Sequence, residues 1–478
     1  MEYPQGISAQ HVRQVFQGAA DLTARPVCLG GAPATVFFLD GLTAGAEIAD
    51  FIVHPAAQHL RGSPQEMLEA CLQGQVYAAV AKEVEDLPTL CQLLVNGFAV
   101  LVFEDFPKAV AFEAKSAIRR IPAPPTVEHT VKGAKDAFTE TARTNTTLTR
   151  CHLRNPFLRI TELTVGTKSR TNVSLVWLEG VTPRRIVTQL ERRLRGLDVE
   201  SFVTPAAVEE AVTGSRCSPF PLLRFTERPD KFAQALLEGQ AGLLVDGLPL
   251  GYLAPVELGG FLTSPEDQGM DFVTASCIRV IRYGALLVSL LLPALYAAMA
   301  AFHQEMLPTQ LLLSIIESKQ QVPFPTMLEV IGLLIAFEIL QEAGVHLPQS
   351  LGQAVSIIGG LVVGSAAVEA KLISPAALIV VAVAGVCGYV IPGRELANAV
   401  RVWRFILTLC AALAGLFGVS VGLIALLLHL GGLETFGLSY LRPFDRAASD
   451  GMVLRRRLKT QAARRKQEQE KQENRRSL

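Results

Sequence analysis

The sequence predicts a two-lobed soluble α/β N-terminal region followed by an all-α multi-span transmembrane bundle. Three features carry that reading. Short β-branched and aromatic runs recur before residue 270, prolines cluster at Pro122, Pro124 and Pro125, and long apolar runs with short polar links begin near Arg282. Of 478 residues 50% are apolar and only 18% charged, below the roughly 25% charge usual in soluble domains. The deficit belongs to the second half, and the length calls for more than one structural unit.

In the first half, Ala34–Leu39, Phe98–Phe103, Val173–Leu178 and Ala241–Val245 read as buried strands. Between them lie amphipathic stretches such as Pro183–Arg195, where Ile186, Leu190 and Leu194 recur at helical spacing opposite Arg and Glu. Strands alternating with helices imply α/β units. The prolines of Ile121–Thr126 lack donors and hold the backbone extended, so this segment is the expected linker. Lobe 1 then spans 1–120, the linker 121–130 and lobe 2 131–270. A cleft between two such lobes is a usual place for a small ligand, with plain packing or docking as the alternative. Asp40-Gly41 and Asp246-Gly247 each follow an apolar strand and read as tight turns rather than catalytic carboxylates.

No enzyme signature is present: there is no phosphate-cradling GxxxxGK[ST] loop, no GxSxG elbow and no HExxH. The 8 cysteines form no CxxC pair and have no His-rich neighbour at ligand spacing. They read as free, mostly buried thiols, and no catalytic, metal or cofactor residue is expected. Basic and acidic residues balance at 44 each, and no nucleic-acid partner is signalled. Residues 1–17 lack the apolar stretch of a secretory leader, so the N-terminal region is expected on the cytoplasmic side.

Over the predicted transmembrane domain, 280–443, four runs approach the roughly 20 residues a crossing helix needs. They are Tyr283–Phe302, Leu351–Val368, Ala376–Ile391 and Phe405–Leu430, and Pro293 inside the first predicts a kink. Pro308–Ser318 is apolar but short, while Thr326–Gly344 carries Glu329, Glu338 and Glu342. A carboxylate at membrane depth costs roughly 2.5–3.5 kcal/mol, so each must face water, a cavity or a partner. Glu338 and Glu342 share a helix face. They are read either as an acidic ring along an ion path in a closed oligomer or as the wet face of an interfacial helix. Ser356, Gly360 and Gly364 form a stripe of small residues suited to pore lining or to close helix packing.

Arg279 and Arg282 ahead of the first run, and the basic polar tail 444–478 after the last, favour the cytoplasmic side for both ends and an even number of crossings. Arg394, Arg401 and Arg404, expected in the last loop, would then lie outside, against the same rule. The tail itself suits anionic headgroups or a simple topology anchor.

Several ordered blocks go further. Leu291-Leu-Pro-Ala-Leu-Tyr296, Phe302-His-Gln-Glu-Met306-Leu-Pro308, Val322-Pro-Phe-Pro325, Phe337–Gly344, Leu351–Ile357 and Ala366–Ala370 form a central group. Val131–Phe138 with Arg143-Thr-Asn145 lies upstream, and Leu433–Gly437 with Tyr440–Pro443 closes the series. Together they resemble the GerA-type spore germination proteins, the A subunits of nutrient germination receptors. The resemblance implies a multi-pass protein of the spore inner membrane, held in a lipid bilayer with its N-terminal region and tail on the cytoplasmic, spore-core side. It implies a transporter-like B subunit that binds the nutrient and a C subunit that is a lipoprotein. It further implies a homo-oligomer, with a pentamer as the implied ring, through which ions leave the spore when germinant binds. Two alternatives stay open: a germination-amplifying paralogue acting with dipicolinate release, and a non-conducting membrane assembly scaffold.

Overall fold

Local apolar periodicity sorts the chain into a sheet-rich part and a helical part. The computed structural model describes residues 3–104, 106–116, 124–126, 128, 130, 132–214, 218–346 and 364–441. One compact unit comprises Met1–Arg216 and Leu222–Val256, the other Cys217–Pro221 and Glu257–Leu478.

The first unit opens with α1 (Ala9–Val15), β1 (Leu22–Leu29), β2 (Ala32–Leu39), α2 (Pro64–Leu72), β3 (Ala81–Val84), α3 (Leu87–Val95), β4 (Phe98–Phe103) and β5 (Ala109–Glu113). Its five-stranded sheet has the order β1-β2-β4-β5-β3 and is antiparallel throughout. Every residue of β4 is buried. Val100 and Val102 pack with Val12, Leu90 and Leu94 on one face, and Leu101 and Phe103 with Ile52 and Leu68 on the other. A strand covered on both faces needs no polar alternation, which is why Phe98–Phe103 stands out as one unbroken apolar run. Helix α2 starts on a capping box in which Ser63 N donates to Glu66 at 2.8 Å, with Pro64 at the first helical position.

A second sheet follows from α4 (Ala142–His152), β6 (Leu158–Val165), β7 (Thr171–Leu178), α5 (Arg184–Arg195), α6 (Pro205–Thr213), β8 (Arg224–Thr226), α7 (Pro229–Leu237), β9 (Ala241–Val245) and β10 (Gly251–Ala254). Its order is β6-β7-β9-β10-β8, again antiparallel, so the alternation of strands and helices is realised without parallel ladders. Helix α5 buries Ile186, Leu190 and Leu194, the stripe its spacing predicts, and Val187 beside them. A Cβ at Gly242 or Gly251 would fall 2.1 or 2.6 Å from the Phe232 ring, so bare backbone is required where that ring lies on the sheet. Both Asp-Gly pairs are turns, with φ of +90° at Gly41 and +88° at Gly247. Asp246 also caps α4 by accepting from Ala142 N at 2.9 Å.

A buried seam joins the two sheets within this unit. Ala20 N donates to Ile160 O at 2.8 Å and covers the outer edge of β6. Arg150 on α4 is fully buried and grips both carboxylate oxygens of the equally buried Asp21, while its Nη2 also donates to Leu158 O at 3.2 Å. Two turns earlier on α4, Arg143 pairs with Asp40 and with Glu162. Asn145 accepts from Thr139 N at 2.7 Å and donates to Thr139 O at 2.6 Å, which fixes the approach to α4. The Arg143-Thr-Asn145 block therefore belongs to this seam. Of the predicted linker, residues 121–123, 127 and 129 lie outside the described residues. Between them Thr126 donates to Glu227 at 2.9 Å, and Glu128 accepts from Thr226 and Lys231.

His152, at the end of α4, bonds Asp136 at 2.7 Å. That hydrogen bond raises the His152 pKa and lowers that of Asp136. The histidine's contribution to stability is complete below its unfolded value near ~6.5 and fades as pH rises through the folded one. The aspartate's contribution is present above ~3.9 and fades as pH falls. His152→Asn is expected to flatten the thermal-melt profile between about pH 6 and 8 by roughly 1 kcal/mol, and an unaltered slope contradicts the pairing.

The expectation of mostly buried thiols is corrected. Among the described cysteines, all free, only Cys71 and Cys91 are buried, and burial pushes both thiols up to about 12. Cys28 on edge strand β1 and Cys277 on a helix face are exposed.

The helical unit contains α8 (Phe272–Ala301), α9 (Thr309–Lys319), α10 (Thr326–His346), α11 (Pro375–Tyr389) and α12 (Arg394–Gly431). The hairpin β11 (Glu434–Thr435) and β12 (Leu438–Ser439) follows them. Of the predicted run Leu351–Val368, only residues 364–368 fall within the described residues, in the short helix Gly364–Glu369. Asp271 caps α8 by accepting from Thr274 N at 3.2 Å, so the helix begins well before Tyr283 and stays helical through the buried Pro293. Arg279 and Arg282 thus lie inside the first apolar helix and not ahead of it, because no breaker separates them from it.

By length and apolarity Phe272–Ala301 and Arg394–Gly431 qualify to cross a membrane, and Pro375–Tyr389 is shorter. Yet α12 is not one rod. Ala414 (φ −139°, ψ 18°) and Gly415 (φ +58°, ψ −139°) leave helical geometry. On either side, residues 394–413 and 416–431 fold back on each other. A Cβ at Gly418 would sit 2.0 Å from Cys410 O, and the rings of Trp403 and His429 are 5.8 Å apart. In a straight helix those two positions would be about 39 Å apart. The predicted span Phe405–Leu430 is therefore corrected to two antiparallel arms. Arg394, Arg401 and Arg404 are corrected from loop to first arm, where good helix formers follow Gly393 without interruption. At the open end of this hairpin, Gly393 N donates to Phe261 O at 3.2 Å and Leu258 N to Tyr440 O at 3.0 Å. The chain entering α8 and the chain leaving α12 therefore meet at one end of the unit.

Candidate functional site: charged groups inside the helical unit

Charged side chains inside apolar helices are expensive to bury singly, so their partners define the chemistry available. Three groups occur. In the first, Asp267 is fully buried and receives Arg279 Nε at 3.1 Å, Arg282 Nη1 at 2.8 Å and Ser264 N at 3.1 Å. Arg282 also donates to Leu262 O at 3.0 Å, so the start of α8 is clasped to the segment before it.

In the second, Glu338 on α10 accepts from Arg404 of the first α12 arm at 2.5 Å, and Arg401 stands 3.7 Å away. Arg404 is 2% exposed and Glu338 24%, so the pair runs from a buried guanidinium to a half-buried carboxylate. Glu338 thus carries its own counter-charge within the chain. Glu342, one turn on, is exposed. In the third, Glu329 in the first turn of α10 accepts from Ser374 N, the N-cap of α11, at 2.7 Å, and Lys319 at the end of α9 approaches to 4.0 Å.

Gly364 is buried, and a Cβ there would meet Leu378 of α11 at ordinary contact distance, while Ser356 and Gly360 lie outside the described residues. Pro293 is buried within α8. Around the open end of the hairpin, Phe220, Trp403, His429 and Tyr440 stack with centroids 5.8–6.5 Å apart, and His429 Nε2 bonds Ser218 Oγ at 2.8 Å. Lys319, Arg401, Arg404 and Asp267 escaped the sequence reading as partners. The one signal for them is a charged residue standing in or beside an apolar run.

The unit of two sheets holds a cavity of about 440 Å³ lined by Gln14 and Gln17 of one sheet's elements and Arg159, Trp177, Glu179 and Arg184 of the other's. Its charged groups are already engaged: Glu179 accepts from Trp177 at 3.2 Å and Arg184 at 3.1 Å, and Arg159 donates to Pro156 O at 3.1 Å. Among the described residues no three His, Cys, Asp or Glu side chains gather as a metal site would need.

A family model described as Bacillus/Clostridium GerA spore germination protein matches residues 10–467. The chain belongs to the GerA family. An uncharacterized membrane protein of Bacillus subtilis (strain 168), YfkQ, is 33% identical over 441 residues, 91% of this chain and 86% of the relative. Spore germination protein KA of the same strain is 32% identical over 87% of this chain and 77% of its own. Spore germination protein B1 is 31% identical over 86% and 85%. The crystal structure of the N-terminal domain of the A subunit of the Bacillus megaterium spore germinant receptor GerK3 aligns with a TM-score of 0.41 at 22% identity, covering 52% of this chain and 92% of that one. In this GerA chain the Phe337–Gly344 block supplies the glutamate that pairs with α12, and the Leu433–Tyr440 segment closes the helical unit at Leu258.

Proposed function

We propose that this GerA-family chain is the A-type subunit of a spore germinant receptor and a multi-pass protein of the spore inner membrane, and that copies of its helical unit surround an ion path. Receptor B and C subunits are its partners, and a closed homo-oligomer, a pentamer in this reading, is the conducting form. The observation that carries the proposal is the pairing of charges within helices that otherwise suit lipid: Glu338 with Arg404 and Arg401, while Leu413, Phe417, Ile424 and Leu428 are exposed on the α12 arms. Ionic groups at such depth are retained where a path or a switch uses them. The adjacency of Leu258 and Tyr440 supports one face, the cytoplasmic one, for both the N-terminal region and the tail. In this reading two soluble lobes, divided at 121–130, serve assembly and gating.

The purified oligomer is expected to conduct in planar bilayers. Glu338→Gln leaves Arg401 and Arg404 uncompensated, so the reversal potential should move toward anion preference. A stable, non-conducting monomer overturns the proposal. The self-contained Glu338 pair also favours a second reading, a non-conducting assembly scaffold. In that case Glu338→Gln lowers recovery of the receptor complex and leaves flux through the partner unchanged.

A further inference from the structure

Helices α8, α9, α10 and α11 bring a small group of polar side chains into an apolar core built from Ala297, Ile315, Val330 and Ala377. The Glu329 side chain is 0% exposed. Its Oε1 is satisfied by Ser374 N, but its Oε2 is buried with no hydrogen bond. The Tyr296 hydroxyl of α8 is also buried and has Ser374 as its polar neighbour, within electrostatic reach of Glu329. Lys319 pairs with Glu329 Oε2 at 4.0 Å and donates to Thr326 Oγ1. Orphaned polar atoms in a dry core mark a place where a small polar species is held.

The donor set narrows the species. Glu329 contributes one carboxylate, whose Oε1 accepts from Ser374 N and which stands in the first turn of α10. The other lining groups, the hydroxyls of Tyr296, Thr326 and Ser374, are neutral oxygens. A single carboxylate balances a monovalent cation, whereas calcium sites gather several carboxylates and magnesium keeps most of its water. An anion would meet the carboxylate. Moreover, the chain already parks a positive charge at the mouth. The Lys319 ammonium, 24% exposed on a flexible four-carbon stem, pairs with Glu329 Oε2 at 4.0 Å.

We propose that Tyr296, Thr326, Glu329 and Ser374 form a monovalent-cation site, and that Lys319 is its tethered occupant, displaced when a free cation enters. Its use in gating rests on the ion-path reading; its binding does not. Removing a like charge about 4 Å from an ion strengthens that ion's binding by about tenfold or more.

Two measurements on the full chain in lipid nanodiscs test this. In equilibrium dialysis with radioactive sodium, Lys319→Gln should bind about tenfold more tightly than the unaltered protein. Lys319→Gln combined with Glu329→Gln should bind none. Equal binding by all three, or none by Lys319→Gln that retains its helical spectrum, overturns the site. The second measurement needs no variant. Acetylation of Lys319 by acetic anhydride, read by peptide mass spectrometry, should rise severalfold in high NaCl over choline chloride of equal ionic strength. Identical acetylation in the two salts overturns the site even where the variants fail to fold. Sodium binding without conductance would remove the ion path and leave the site. Conductance without binding would do the reverse.

Discussion

Arg150→Ala destabilises the sheet-rich unit by about 3–5 kcal/mol, the largest single effect expected there. Arg150 and Asp21 are both buried, and Arg150 also holds Leu158 O, so truncation strands a carboxylate and a carbonyl in a dry seam. The pair's net worth is much smaller than this cost, because taking both ions out of water offsets most of their attraction. Arg150→Met combined with Asp21→Leu should accordingly recover most of the loss. Denaturant unfolding of the three proteins separates the terms. A single variant within about 0.5 kcal/mol of the parent would mean that the seam is open to water.

Gly418→Val drives the two arms of α12 apart, at about 3 kcal/mol or more. The added Cβ would lie 2.0 Å from Cys410 O, a backbone atom that cannot yield without moving its arm. Gly431→Ala, with nothing within 4 Å, is the matched control and should be neutral or slightly stabilising. The fold-back itself is open to direct test. A Cβ on residue 422 would be 3.7 Å from that of Cys410, within the range a disulfide spans, so Gly422→Cys should cross-link to Cys410 on oxidation. In an unbroken helix the two positions are about 18 Å apart and no bond can form. Its absence under oxidising conditions would restore α12 to a single rod.

Elements differ sharply in how legible they are. The run Phe98–Phe103 announces β4, and Ile186, Leu190 and Leu194 announce α5, since burial of a face imposes a period that neighbours along the chain display. The two Asp-Gly turns are equally local. The break in α12 is not. Gly415, Gly418 and Gly422 look alike within one apolar stretch, and only packing against Phe302 and His303 and across the arms distinguishes the turn from the close-approach positions. The charged site follows the same division. That Glu329 and Glu338 need shelter is evident from their apolar surroundings. That Glu338 finds Arg404, and Glu329 finds Ser374 and Lys319, is not.

Composition and periodicity alone established a sheet-rich first half, an apolar helical second half and the requirement that its acids be compensated. Those properties depend on how each residue partitions between water and a dry interior, which is a local matter. Tertiary structure alone decided the antiparallel order of both sheets, the seam through Arg150 and Asp21, the reversal at Ala414–Gly415 and the identity of each buried counter-charge. These are choices between partners far apart in the chain, and the energy that selects them appears only once folding has brought their surfaces together.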